Sequence, residues 1–204
     1  MRPIELKIKG INSYREEQVI NFNQLTSQGF FGIFGPTGSG KSTILDAITL
    51  ALYAKLPRGS KNFININETS ASVSFRFSIT TTETKEYLVE RSFRYPGKDR
   101  SSTARNTTAR LSLLSDVDTE ILADKPTDVT RSCTDLLGLS SDDFLRTVVL
   151  PQGQFSDFLK LKNQERRGML QRIFHLERYG IELTRKVAAA RQRMDIEVSS
   201  SEGQ

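Results

Sequence analysis

Eight residues, Gly35-Pro36-Thr37-Gly38-Ser39-Gly40-Lys41-Ser42, limit what this chain can become more than any other feature of it. They satisfy the pattern G-x-x-x-x-G-K-[ST] at every fixed position. They also lie where that pattern has physical meaning, after the nearly continuous apolar run Phe30-Phe31-Gly32-Ile33-Phe34 and before Ile44, Leu45, Ile48, Ala51 and Leu52 at helical spacing. The run predicts a strand buried on both faces, and residues 41–54 an amphipathic helix with one face on a sheet. A loop of this composition between strand and helix cradles phosphate. Its glycines let backbone N–H groups turn inward without Cβ clashes, and the helix start adds partial positive charge. Pro36, Thr37, Gly38, Ser39 and Gly40 form the cradle, and Lys41 reaches the β- and γ-phosphates as a point charge. Ser42 offers its hydroxyl to Mg²⁺, and Thr43 adds another near the α-phosphate.

Around this unit the chain reads mostly as antiparallel sheet. Ile4, Leu6 and Ile8 alternate with polar residues, and Val19-Ile20-Asn21-Phe22 follows after a polar turn, which predicts a strand pair in the first 25 residues. Val73, Phe75, Phe77 and Ile79, then Tyr87, Val89 and Phe93, then Leu111 and Leu113, predict further strands with one wet face. The Pro-Gly and Ser/Thr content of residues 95–106 makes that stretch a loop. Val129, Cys133, Leu136 and Leu137 mark a helix that Gly138 can close in a left-handed cap, with Cys133 in its core face. Ser141-Asp142-Asp143 opens a short helix leading to Val148-Val149-Leu150 and Pro151. From Asn163 to Val198 there is no proline, and Leu170, Phe174, Ile181 and Ala188 fall on one side of a long helix. That helix is either the root of a coiled coil or, in its first half, packed on the core.

Composition removes several function classes. No stretch nears the roughly 18 consecutive apolar residues of a membrane span, and the alternating start Met1–Lys7 does not build a signal-peptide core. One cysteine, Cys133, and one histidine, His175, exclude an internal disulfide and a thiolate or His-rich metal centre, and suit a reducing compartment. The net charge is +5, and ten of the 29 basic residues lie in 160–194 against three acidic ones. That stripe is either a polyanion surface or a solvated helix face.

A P-loop ATPase also needs a carboxylate at the end of an apolar strand to hold Mg²⁺, and usually a second to polarise water. Ile121-Leu122-Ala123-Asp124 is the one run of that form, but it is short and precedes Lys125-Pro126, so Asp124 reads as a turn residue. The chain looks like half of a nucleotide site.

Three blocks carry a resemblance: Ile11-Asn12-Ser13-Tyr14 with Ile20-Asn21-Phe22; the glycine-rich loop continuing through Ser42-Thr43-Ile44-Leu45-Asp46-Ala47-Ile48; and Val148-Val149-Leu150-Pro151-Gln152-Gly153-Gln154-Phe155-Ser156-Asp157-Phe158-Leu159. Together they resemble the N-terminal ATPase lobe of the SbcC family, the SMC-like ATPase subunits of bacterial SbcCD nucleases. The match continues through Glu165–Phe174 and covers essentially all of residues 1–195. It implies an α/β, ABC-type P-loop lobe, with a mixed sheet and an antiparallel β subdomain around the Walker A helix. The head lobe would span 1–162, with the Walker A at 35–43 and a Q-loop at about 148–155. A helix at the coiled-coil base would span 163–198, and 199–204 would be a polar tail or cut end.

The resemblance further implies ATP and Mg²⁺ as cofactors, with Lys41 and Gln152 as the catalytic pair. Gln152 would complete the Mg²⁺ shell with Ser42 and sense the γ-phosphate, although its spacing alone reads as a polar turn after a strand. Asn12 and Ser13 would stand beside the phosphates, Asn12 where relatives often carry an arginine. The implied partners are the protein's own C-terminal ATPase lobe, a second SbcC head, the SbcD nuclease and double-stranded DNA, in the cytoplasm at the nucleoid and not at a membrane. Arg94, Lys98, Arg100 and Arg105, on a hairpin like those facing DNA in the family, would either contact DNA or be the charges of a solvated loop. Leu170, Phe174, Tyr179 and Ile181 would either meet the nuclease or pack in the core. Three functions compete: an ATP-driven DNA-processing ATPase, a DNA clamp or tether with incidental hydrolysis, and an unrelated P-loop kinase or transporter ATPase. The last leaves Ile11–Tyr14 and Gln152–Phe155 unexplained.

Overall fold

The computed structural model describes residues 1–26, 29–56, 62–97, 102–115, 118–149, 162–173 and 181–201. It divides into two units, Met1–Val149 and Leu150–Gln204.

The first unit is a sheet with helices on its dry face. Strands β1 (Arg2–Lys9), β2 (Gln18–Asn21), β3 (Ser70–Thr80), β4 (Thr84–Arg94), β5 (Arg105–Leu114) and β6 (Thr119–Ala123) pair in the order β2-β1-β3-β4-β5-β6. Every pairing is antiparallel. The alternation legible in the sequence sets the faces. Leu6 and Ile8, then Val73, Phe75 and Phe77, then Tyr87, Val89 and Phe93, then Leu111 are buried on one side. Register places Phe77 opposite Tyr87 and Phe75 opposite Val89, and the Phe75, Phe77 and Tyr87 rings stack in sequence at 5.3 and 5.6 Å. The opposite face carries Glu5, Lys7, Ser74, Arg76, Glu90 and Arg110.

Helix α1 (Phe22–Leu25) follows β2. Helix α2 (Lys41–Tyr53) forms where the spacing predicts it and buries Ile44, Ala47, Leu50, Ala51, Leu52 and Tyr53, but of the predicted face Leu45 is exposed and Ile48 half-buried. Helix α3 (Pro126–Leu137) starts with proline in its first turn and ends at Gly138, whose φ of 66° closes it with a bond from its N–H to Thr134 O (2.8 Å). Val129 and Cys133 are its buried side chains, as expected. Burial pushes the Cys133 thiol up to about 11, so it stays neutral and unreactive near pH 7. Helix α4 (Ser141–Phe144), capped by the Ser140 hydroxyl on Asp143 N–H, runs into a π-helical turn at Leu145–Val149. In the second unit, α5 (Asn163–Ile173) falls within the predicted long helix, and α6 (Ile181–Ser201) runs three residues past its predicted end at Val198. Among the described residues no helix is long and apolar enough to cross a membrane.

One expectation is corrected. The Phe30–Phe34 run is not a buried strand: its backbone has no regular structure, and Phe30 and Phe34 are 84% and 93% exposed. The physical reason is pairing. A strand needs a hydrogen-bonding neighbour, and the observed strand order leaves this run out, so no parallel strand joins the sheet among the described residues. Only Phe31 keeps an aromatic contact, with Phe22 at 6.0 Å.

Candidate nucleotide-binding site

The loop before α2 turns on two glycines. Gly38 and Gly40 have φ of 86° and 90°, the left-handed region that side chains avoid, and Gly40 is the residue that caps α2. Space forbids a side chain at Gly40 as well: a Cβ there would come within 2.5 Å of Ser13 Oγ and 2.8 Å of the Tyr14 ring. The segment Asn12-Ser13-Tyr14, remote in sequence, is thus pressed against the loop. Lys41, the first residue of α2, folds back so that Nζ donates to Gly35 O and Pro36 O, both at 2.7 Å, and lies 3.4 Å from Ser39 Oγ. The ammonium is therefore held over the loop by main-chain oxygens. Ser42 is exposed on the first turn of α2, and Thr43 beside it is buried. Asn12 Nδ2 donates to Thr43 Oγ1 at 3.3 Å.

This donor set fits a triphosphate with a divalent cation: backbone turned by glycines, a helix start, one ammonium and the exposed hydroxyl of Ser42. When bound, Mg²⁺ would supply charge neutralisation between the β- and γ-phosphates. Lys41 would hold and orient the phosphates, and Ser42 would offer an oxygen to the metal. Asp124 lies exposed in the turn between β6 and α3, as its sequence context predicts, and β6 before it is a half-exposed edge strand.

The far end of α2 is fixed by a residue that sequence reasoning passed over. Arg91 on β4 is 1% exposed and points into the dry side of the sheet. Its Nε donates to Ala51 O (2.6 Å) and its Nη2 to Leu52 O (3.1 Å), serving carbonyls at the end of α2, and Nη2 and Nη1 also reach Thr130 Oγ1 (2.9 Å) and Pro126 O (3.3 Å) of α3. Burial pulls its pKa down to about 10, still far enough above neutral that the guanidinium remains charged. A cation suits the negative end of a helix. The signal was present in the alternation Tyr87, Val89, Arg91, Phe93, which puts Arg91 at an inward position. Next to it the Tyr53 hydroxyl donates to Leu139 O at 3.0 Å, and the Tyr53 ring meets Phe144 at 5.4 Å.

The structure brings Asn12, Ser13, Pro36, Thr37, Gly38, Ser39, Gly40, Lys41, Ser42 and Thr43 into one region. Gln152, Lys98, Arg100, Phe174 and Tyr179 lie outside the described residues. Arg94 and Arg105 are exposed and stand directly opposite each other on β4 and β5. Leu170 is exposed on α5, and Ile181 begins α6.

A family model described as "AAA domain" matches residues 5–201. Over 207 residues the chain is 49% identical to the SbcC component of the SbcCD nuclease of Clostridium acetobutylicum, covering 100% of this chain and 18% of that protein. The protein of the same name from Bacillus subtilis is 50% identical over 190 residues, covering 92% of this chain and 16% of its own length. "Probable DNA double-strand break repair Rad50 ATPase" of Aquifex aeolicus is 34% identical over 194 residues, covering 93% and 18%. Among solved structures, the "SMC head domain from Thermotoga maritima" matches at 30% identity with a TM-score of 0.34, covering 56% of this chain and 39% of that one. The chain thus spans 18% or less of the length of these curated relatives. With its glycine-rich loop at the head of α2 and its likeness to SbcC sequences running along its full length, the chain belongs to the AAA domain family and resembles the SbcC members of it.

Proposed function

We propose that this chain is the N-terminal half of an SbcC-type ATPase head, which binds ATP with Mg²⁺, engages a second head across two ATP molecules and controls an SbcD-type nuclease at DNA ends. The observation that carries the reading is the loop 35–42, with left-handed Gly38 and Gly40 and the Lys41 ammonium held over it at the start of α2. Lys41 binds the phosphates, Ser42 and Gln152 complete the Mg²⁺ shell, and Pro36–Thr43 line the cradle with Asn12 and Ser13 beside it. The carboxylates that hydrolysis needs come from the C-terminal lobe of the same protein. The exposed Phe30 and Phe34 support this, because apolar side chains left uncovered beside the loop suit a cover from outside residues 1–204. Residues 1–162 then form the head lobe, 163–198 the coiled-coil base and 199–204 a polar tail. Leu183, Val187, Ala190 and Met194 recur on α6 at spacings of four, three and four, and all are exposed, which supports a coiled-coil seam. Leu170, Phe174, Tyr179 and Ile181 at this base are the proposed nuclease contacts. The protein works in the cytoplasm at the nucleoid, without a membrane.

Hydrolysis tests the split site. The chain alone is expected to turn over ATP negligibly, and adding the C-terminal lobe to restore it; substantial steady-state turnover by residues 1–204 alone would sink the split-site argument.

Duplex DNA is the proposed polyanion, met by Arg94, Lys98, Arg100 and Arg105. Like charges directly opposite in a sheet destabilise it, so the Arg94–Arg105 pair suits an anion lying across both. Phosphate contacts release counterions, so affinity of the ATP-bound head dimer should fall steeply with salt and depend little on sequence. Changing Lys98, Arg100 and Arg105 together to alanine is expected to lower the salt slope by about one unit per side chain that touches phosphate. An unchanged slope in a salt series would move the DNA surface to the basic stretch 166–193.

A further inference from the structure

Thr43 behaves unlike four other helical threonines of this chain. Thr49, Thr130, Thr134 and Thr147 each donate the side-chain hydroxyl to the carbonyl four residues back, at 3.0, 2.9, 3.0 and 2.7 Å. Thr43 sits in the first turn of α2, where the residue four back, Ser39, is still in the loop. Its oxygen instead accepts from the Asn12 amide at 3.3 Å. A hydroxyl has one proton and two lone pairs, so an oxygen already engaged as acceptor keeps its proton for another partner.

Asn12 is itself held firmly. Its φ is 47°, a left-handed conformation that asparagine tolerates better than most residues. Its N–H donates to Phe63 O (2.7 Å), and its carbonyl accepts from Asn65 Nδ2 (2.6 Å). Asn65 is anchored in turn by its own N–H on Gly10 O and by Asn67 N–H on its Oδ1, both at 2.9 Å. Both main-chain polar groups of Asn12 are thus fixed by the segment 63–65.

We infer that Asn12 and Asn65 are positioning residues that act through Thr43. Asn65 sets the turn, the turn aims the Asn12 amide at Thr43 Oγ1, and Thr43 is left as a pre-oriented O–H donor for a nucleotide phosphate. Asn12 need not touch phosphate itself. A bond received at the oxygen also strengthens the donor, since hydrogen bonds in series polarise one another. This rests on the ATP-binding reading above, and it adds Asn65, which no motif marks, to that site.

The test is a double-mutant cycle on ATP affinity in the full-length protein, measured by calorimetry with Mg²⁺ present. Thr43→Val removes the hydroxyl at nearly constant shape and is expected to weaken ATP by about tenfold or more, the size of a bond to a charged group. Asn12→Gly removes the amide while accepting the left-handed backbone, and Asn65→Ala removes the donor to Asn12 O without adding charge, together with the oxygen that accepts from Asn67 N–H. Each is expected to weaken ATP several-fold in the wild-type and Thr43→Ser backgrounds, and to have no effect in Thr43→Val. A merely structural role would lower affinity equally in all backgrounds. Additive losses in the Asn12→Gly, Thr43→Val double variant overturn the inference, as does an Asn12→Gly variant with unchanged affinity. Lys41→Ala separates the two levels. If ATP binding is absent, or indifferent to Lys41, the ATP reading fails and this inference with it. Binding that depends on Lys41 but shows additive Asn12 and Thr43 losses overturns the inference alone.

Discussion

Replacing Lys41 with alanine in the head completed by its C-terminal lobe is expected to weaken ATP binding by roughly ten- to a hundredfold, about 1.5–3 kcal/mol, the usual size of a hydrogen bond to a charged group. Two effects combine. The ammonium is the one positive side chain in the loop 35–42, and the same Nζ ties Gly35 O to Pro36 O, so its loss also loosens the cradle. Gln152→Ala should behave differently, sparing more of the affinity and losing more of the turnover, because its proposed partners are Mg²⁺ and the attacking water. An interaction with ground-state phosphates lowers binding, whereas one that matters most in the transition state lowers kcat. Equal losses of affinity in the two variants, measured by nucleotide titration beside steady-state turnover, would remove the distinction between their roles.

How much of this was legible in sequence depends on whether local chemistry or distant packing decided a position. The turn of the loop 35–42 into α2 was legible, since left-handed backbone at Gly38 and Gly40 and a lysine at the helix start admit few substitutes. The antiparallel strands were legible through alternation, and α3 through its proline start and glycine end. The Phe30–Phe34 run was misread because hydrophobicity reports that a segment wants burial but not what will cover it, and here the six strands leave it out. Asn65 was invisible for a related reason. Its role depends on Gly10 and Asn12, more than fifty residues earlier, meeting it in space, and nothing in Ile64-Asn65-Ile66-Asn67 marks that contact. Arg91 could have been found, because a charge at the inward phase of an apolar strand is either an error of register or a buried cation with partners.

Those partners make Arg91→Ala the largest stability loss expected in this chain, about 3–5 kcal/mol. The side chain is among the largest fully buried ones, so truncation opens a cavity between β4, α2 and α3. It also strips Ala51 O and Leu52 O of their donor at the end of α2, where no further turn of helix can supply one. Each buried carbonyl left unpaired costs about 1–3 kcal/mol. Arg91→Lys should recover only part of the loss. One ammonium keeps the charge against the end of α2, but it lacks the planar fork that lets Nε and Nη2 serve Ala51, Leu52 and Thr130 together. Denaturant unfolding should therefore rank wild type above lysine and lysine above alanine. A loss below about 1 kcal/mol for Arg91→Ala would mean that water or a shifted α2 satisfies those carbonyls, and that α2 is held at this end by Tyr53 and its apolar face alone.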